Sequence, residues 1–309
     1  MKNFISAIEK AQTIAITGHI HPDGDCIGSC LGLRQYILDH YNEKKVDVYL
    51  ESVPPEFNFL SGADQVLFES SKESYDLFFL LDCSSLDRIE PFSAMFETAK
   101  KTFCIDHHIS NDGLGDTQIV RPTASATCEV LYELFENNKI TLDCAYCLYT
   151  GIVHDTGVFK HSNTSKNTMI YAGNLIEKGI DTSMVIDHTF YQKTLIQNKL
   201  LGQALLQSKT YHKGHVITSY ISQDDMKKFG AKTSDTNGII DQLRITEGVE
   251  VAIFIYDLGD DTYKFSMRSN GANVAKIAQK FGGGGHIRAA GFSTKDNYED
   301  VLNNILKDL

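Results

Sequence analysis

Two clusters of acids and histidines, each lying directly after a short β-branched or apolar run, constrain this chain more than any other feature. The segment Gly18-His19-Ile20-His21-Pro22-Asp23-Gly24-Asp25 follows Thr13-Ile14-Ala15-Ile16-Thr17, and Asp106-His107-His108 follows Thr102-Phe103-Cys104-Ile105. Runs of this kind suit buried parallel strands. Both clusters therefore stand where a strand ends and a loop begins, the usual place for ligand chemistry in an open α/β sheet. Neutral imidazole with several carboxylates is a ligand set for Mn²⁺, Fe²⁺ or Zn²⁺ rather than for an all-oxygen Ca²⁺ cage. The pattern reads as a metal enzyme.

The rest of the first half alternates strand-like and helical patterns. Lys45 to Leu50, Tyr75 to Leu81 and Lys101 to Ile105 read as strands. Met1 to Lys10, Cys26 to His40, Ala126 to Asn137, Asp143 to Val153 and Lys166 to Lys178 read as helices, the last closed by Gly179. Such alternation predicts a doubly wound parallel sheet. A long helix-like stretch follows from about Thr189 to Ser208. Beyond it, His215 to Ile221, Val249 to Tyr256 and Tyr263 to Met267 read as strands around helices near Asp235 to Ile245 and Ala272 to Phe281. The acidic turn at Leu258-Gly259-Asp260-Asp261 suggests a hairpin. The fold class expected is α/β: a catalytic domain over 1–188, a helical linker over 189–208, and a smaller α+β domain over 209–309, with the active-site cleft between the domains.

Composition narrows the function. The net charge of −11 argues against tight binding of long nucleic acid. It leaves short or small phosphorylated substrates open, because bound cations reverse the local potential. No apolar stretch approaches the ~20 residues of a membrane span, and the amphipathic N-terminus does not read as a signal peptide. A cytoplasmic protein is expected, with a homodimer left open. The seven cysteines are odd in number and irregularly spaced, which disfavours a disulfide framework. Cys144 and Cys147 form a CxxC pair inside a helical pattern and read as buried helix residues.

Two further acids extend the clusters. Asp82 follows the apolar run Leu77-Phe78-Phe79-Leu80-Leu81, and Asp155 lies in Gly151-Ile152-Val153-His154-Asp155-Thr156-Gly157. A lone acid at a strand end is commonly a cap or turn residue, and a lone histidine such as His154 or His161 is commonly structural. Jointly these positions are hard to explain by capping, because unpaired carboxylates are costly to bury. Asp23, Asp25, Asp82 and Asp155 supply about four negative charges, which two divalent cations would neutralise, as in two-metal phosphoryl-transfer sites.

In the C-terminal half, Gly282 to Gly285 followed by His286 leave backbone N–H groups unobstructed to cradle an anionic oxygen. Arg268 adds a guanidinium suited to bidentate phosphate binding. Arg288 lies near in sequence. The substrate-binding set read here is Arg268, Gly283, Gly284, Gly285 and His286.

These segments together resemble the DHH phosphoesterase superfamily. Gly18 to Ser29 is similar to its first motif, and Asp82, Asp106-His107-His108 and Gly151 to Gly157 to its second, third and fourth. Phe265-Ser266-Met267-Arg268-Ser269 and Gly282 to Gly291 resemble the DHH-associated C-terminal domain. The resemblance implies that His19 and Asp23 hold one metal, that Asp25 and His107 hold the other, and that Asp82 and Asp155 bridge. It implies Mn²⁺ as the usual metal, Asp106 orienting His107, His108 facing the substrate phosphate, and a catalytic set of His108, Asp106, Arg268 and His286. His21 departs from the asparagine common there. The chain is most similar to the stand-alone NrnA-type members. Those degrade short oligoribonucleotides and dephosphorylate adenosine 3′,5′-bisphosphate by a two-metal hydroxide mechanism, and close relatives cleave pApA or cyclic di-AMP. An inorganic pyrophosphatase or polyphosphatase, and a non-catalytic nucleotide sensor, are the alternatives.

Overall fold

The computed structural model describes residues 2–71, 74–90, 92–111 and 113–309, which form two compact units, 1–192 and 193–309. In the first unit the strands are β1 (Thr13–Thr17), β2 (Lys45–Tyr49), β3 (Leu77–Leu81), β4 (Thr102–Asp106) and β5 (Thr117–Val120). All pair in parallel, in the order β2-β1-β3-β4-β5. The helices are α1 (Lys2–Lys10), α2 (Gly24–His40), α3 (Ser93–Thr98), α4 (Thr127–Leu134), α5 (Leu142–Asp155), α6 (Lys166–Ile176) and α7 (Thr182–Ile186). Alternation along β3 divides the core. Leu77, Phe79 and Leu81 pack with α1, α2, α4 and α5, while Phe78 and Leu80 pack with Phe92, Met95 and Phe96 around α3. Both faces are covered, which is why the strands read as continuous apolar runs. β5 was not anticipated, because its half-exposed Thr-Gln-Ile-Val edge lacks such a run.

Helices α2 and α5 approach closely because their facing positions lack side chains. A Cβ on Gly28 of α2 would lie 2.5 Å from the Cys147 carbonyl oxygen and 3.1 Å from the Gly151 backbone nitrogen of α5, and one on Gly151 would lie 2.6 Å from Asp25 Oδ1 of α2 and 2.2 Å from Cys128 Sγ of α4. All seven cysteines are free and buried, the CxxC pair within α5.

The helix expected over 189–208 is interrupted. A π-helical turn at Asp187–Tyr191 closes with Gln192 N–H donating to the Asp187 carbonyl at 2.7 Å. Thr194 then caps a new helix, α8 (Leu195–Leu206), in a reciprocal pair with Gln197. The stretch holds no proline and no glycine but Gly202, so nothing in it marks the break, where the Thr194 cap restarts the helix.

The second unit continues with β6 (Lys209–Tyr211), β7 (Val216–Ile221), α9 (Gln223–Phe229), α10 (Ile239–Arg244), β8 (Val251–Gly259), β9 (Thr262–Ser269), α11 (Val274–Lys280), β10 (Gly284–His286), β11 (Ala289–Thr294) and α12 (Tyr298–Asp308). Its sheet is mixed, in the order β10-β11-β9-β8-β7-β6, with β7 and β8 parallel and the other neighbours antiparallel. Ile253, Ile255, Phe265 and Phe292 on one face pack with α11 and α12; Leu200 and Ala204 of α8 pack with Ile217, Ala252 and Phe254 on the other. β8 and β9 form the expected hairpin through Asp260 and Asp261, at φ 51° and 55°, both left-handed as a tight two-residue turn requires. Among the described residues no helix is long and apolar enough to cross a membrane.

Gly28→Ala should force α2 and α5 apart and cost about 1–3 kcal/mol, read as a lower urea midpoint at unchanged slope. Gly173→Ala in α6, where a Cβ meets nothing within 4 Å, should be neutral or stabilise by up to about 1 kcal/mol.

Candidate metal centre

The acids and histidines of the first unit converge at the C-terminal ends of β1, β3 and β4. Asp23 caps α2: one carboxylate oxygen accepts from the backbone N–H of Asp25 and Cys26, at 3.0 and 3.1 Å. Its other oxygen is left 3.8 Å from His19 Nε2. Asp25, in the first turn of α2, is fully buried and accepts from the N–H groups of Thr127 and Cys128 at 2.6 and 2.9 Å, at the start of α4. Asp82 stands one residue beyond β3 at φ 52°, a left-handed conformation uncommon for a non-glycine residue and typical of functional sites. Asp155 is the last residue of α5.

These side chains form adjacent groups. His19, Asp23 and Asp82 make one, Asp25, His107 and Asp155 a second, and Asp82, His107 and His108 a third. Asp82 joins them, one carboxylate oxygen 3.5 Å from His19 Nε2 and the other 3.6 Å from His107 Nε2. His107 Nε2 is 3.1 Å from Asp155 and 4.0 Å from Asp25. Asp155 thus sits with the second group, whereas Asp82 is shared.

The histidine tautomers follow from their backbone partners. His19 Nδ1 is 2.8 Å from the Ile20 carbonyl and His107 Nδ1 is 3.3 Å from the Ala124 carbonyl. Each Nδ1–H donates there, so that the neutral ring turns its Nε2 lone pair toward the acids, as a ligating imidazole requires. The expected hold of Asp106 on the His107 ring is corrected by this geometry. Ala124 takes that ring, and Asp106 accepts instead from the His107 and His108 backbone N–H groups, from His108 Nδ1 at 2.7 Å and from Asn111 at 2.7 Å. The ring that Asp106 orients is that of His108.

Electrostatics show a cluster short of positive charge. Burial, reinforced by Asp155, pushes the Asp25 carboxyl up to about 7, and burial with Asp25 nearby pushes Asp82 well above the usual carboxylate range. Burial alone would lower His107, but its bond to Asp155 and the Asp25 charge outweigh it and raise the imidazole to about 9. His19 is lowered by burial. Stacked carboxylates with two imidazole lone pairs facing them are a fitting donor set for divalent cations.

In the second unit the registers align Arg268 with Ala289 and Ala289 with His286, so Arg268 and His286 share a sheet face with only a methyl group between their strands. Asp241 Oδ1 lies 3.8 Å from Arg268 Nε. The glycine run packs closely against β11. Cβ atoms on Gly283 and Gly285 would lie 2.3 Å from the Gly291 and 2.5 Å from the Ala289 carbonyl oxygens, so both glycines serve close strand packing, Gly285 at φ 136°. Among the four, Gly284 alone combines open space with an ordinary φ, on the exposed edge strand β10. Arg288 reaches the Ala272 carbonyl at 3.5 Å.

Sequence reasoning missed the groups that hold the ligands. Thr127 binds Asp25 through its N–H and Asp82 through its hydroxyl at 3.1 Å. Asn163 ties the Ser125 and Asp155 carbonyls. The Ala124-Ser125-Ala126-Thr127 run before α4, small and polar as helix starts are, was the available signal.

A parallel α/β unit with acids and histidines gathered at its strand ends, in a chain that continues into a mixed-sheet unit, is the architecture of a metal-dependent phosphoesterase. The model of the DHH family, N-terminal domain, matches residues 13–152, and that of the DHHA1 domain matches 213–309. The chain belongs to the DHH family. It is 30% identical over 99% of its length, and 96% of the relative's, to a protein of Bacillus subtilis named bifunctional oligoribonuclease and PAP phosphatase NrnA. It is 28% identical over 94% of its length to the cyclic-di-AMP phosphodiesterase PdeA of Listeria monocytogenes, covering 46% of that protein. The crystal structure of an exopolyphosphatase-related protein from Bacteroides fragilis, 25% identical, superposes with a TM-score of 0.88 over 99% of this chain and 95% of the other.

Two of the three raised groups, Asp25 and His107, set a pH dependence. Cation binding needs Asp25 ionised and His107 neutral, so affinity should rise with pH through about 7 and reach a plateau near 9. Both folded-state values exceed the unfolded ones, so these groups favour the metal-free fold at low pH, and their contribution is lost as pH rises: Asp25's between about 4 and 7, His107's between about 6.5 and 9. The melting-temperature gap between Mn²⁺-loaded and chelator-treated protein should therefore widen from about pH 5 to 8. Thermal melts across that range check this; a constant gap contradicts it.

Proposed function

We propose that this chain is a Mn²⁺-dependent phosphoesterase that cleaves short oligoribonucleotides, pApA among them. In the same reading it removes the 3′-phosphate of 3′-phosphoadenosine 5′-phosphate, releasing nucleoside monophosphates. The observation that carries the reading is Asp82, whose two carboxylate oxygens each face a different histidine, 3.5 and 3.6 Å away, and so link two adjacent ligand groups. His19, Asp23 and Asp82 would hold one cation and Asp25, His107, Asp155 and Asp82 the other. Two such ions supply Lewis-acid polarisation of the phosphoryl group and activation of water at neutral pH.

The remaining groups have roles of their own. His108, with Nδ1–H held by Asp106, is half-buried beside the cluster. In this reading its ring faces a substrate phosphate, with Asp106 fixing its orientation. Arg268 grips a second phosphate or a terminal oxygen, aligned by Asp241, with His286 in the same row. Relatives named for oligoribonuclease and PAP phosphatase activity support the substrate class, and the charge of −11 agrees with short substrates engaged at a few points. The relative named as a cyclic-di-AMP phosphodiesterase motivates a second reading, hydrolysis of that cyclic dinucleotide. Cytoplasmic action fits either.

Rates in Mn²⁺ on di- to pentaribonucleotides, pAp, pApA, cyclic di-AMP and pyrophosphate should favour the short linear nucleotides; faster turnover of pyrophosphate would overturn the reading. Asp82→Ala and His107→Ala should each lower kcat by about a hundredfold or more, and full activity in either sinks the two-ion site. Arg268→Ala should act mainly on KM, raising it roughly ten- to hundredfold, as loss of a charged phosphate contact does.

A further inference from the structure

Among the described residues two buried side-chain polar atoms have no hydrogen-bond partner, His154 Nε2 and Thr164 Oγ1. His154 precedes Asp155 at the end of α5 and belongs to none of the three ligand groups. Its ring lies flat against Gly24. A Cβ there would fall 2.1 Å from the ring Cγ, 2.5 Å from Cδ2 and 2.6 Å from Nδ1. Gly24 opens α2 without a left-handed φ, so the backbone itself would admit another residue. The space is taken by the imidazole. From its other sides the ring is clamped by Phe57, 5.1 Å away at 56°, and Phe190, 4.5 Å away at 46°, the latter from the π-helical turn.

Gly24 is flanked in sequence by Asp23 and Asp25, and His154 is followed by Asp155. One ring-on-backbone contact therefore couples the segments that carry three carboxylates. Those carboxylates repel one another without a cation, and a binding constellation must be held to within about 0.5 Å by its supports. We propose that His154 is a positioning residue: its flat ring, wedged between Phe57, Phe190 and Gly24, locks the first turn of α2 to the last turn of α5 and so sets the spacing of Asp23, Asp25 and Asp155 for divalent cations. The inference rests on the reading of this cluster as a metal centre. It concerns shape rather than ring chemistry, since a partnerless Nε2 contributes no hydrogen bond to the lock.

Calorimetric titration of the full-length protein with Mn²⁺, paired with the electron paramagnetic resonance signal of unbound Mn²⁺, tests this without reference to turnover. His154→Ala should weaken Mn²⁺ binding about tenfold or more, while His154→Phe, which keeps a flat ring, should stay within about threefold of the parent protein. Gly24→Ala should weaken binding as well, and Gly24→Ala combined with His154→Ala should bind more tightly than the two single effects would sum to, because the added methyl then has room. Leu175→Ala, in the core on α6, should lower the melting temperature and leave Mn²⁺ affinity unchanged. Unaltered affinity in His154→Ala, affinity in His154→Phe as weak as in His154→Ala, or strictly additive Gly24 and His154 effects would each overturn the lock. Should His154→Ala fail to fold, the His154→Phe and Gly24→Ala comparison still decides. Failure of the parent protein to bind Mn²⁺ would instead remove the metal-centre reading itself.

Discussion

The close packing of α2 against α5 is the constraint on which the first unit's chemistry rests. Helices usually pack at 8–10 Å between axes, and here Gly28 lets the α2 backbone meet the α5 backbone, while Gly151 leaves room for the Cys128 thiol of α4. The approach carries the start of α2, with Asp23 and Asp25, to the end of α5, with Asp155. A Cβ on Gly151 would also fall 2.6 Å from the Asp25 carboxylate. The same contact that builds the core thus sets how near the acids come to one another.

Helix direction makes the two sides of this contact unequal. Asp23 and Asp25 stand at a helix N-terminus, where the partial positive charge of the backbone favours a carboxylate, and Asp25 gains a second N-terminus from α4. Asp155 stands at a C-terminus, where that field opposes it. With Asp82 buried in a left-handed backbone conformation, the cluster is electrostatically and conformationally costly in the empty protein. Groups arranged at such cost are characteristic of sites that bind a counter-charge.

Much of the first unit was legible because its signals are local. Buried parallel strands announce themselves as apolar runs, and Asp82 and His107 lie just beyond those runs, so their place at strand ends was legible from spacing while their roles came from the family resemblance. What could not be read depends on contacts between distant segments. The ring partner of His107 is the carbonyl of Ala124, and backbone carbonyls carry no sequence signature. The glycine run before His286 read as an anion cradle or a flexible hinge, and its close packing against β11 at Gly283 and Gly285 depends on a pairing with a later strand that the run itself does not signal. The break after Tyr191 was hidden because no proline or glycine marks it, Gly202 being the one glycine of the stretch.

The grouped acids and histidines lie on four separate stretches between His19 and Asp155, a span of over a third of the chain. With every cysteine reduced, nothing covalent ties those stretches together. Ions bound among them would close several long loops at once, a constraint whose entropic effect grows with loop length and which is coupled to folding itself. Such a tether is reversible in a way a disulfide is not. Cation supply would then govern how firmly the sheet is knit as well as how fast the site turns over.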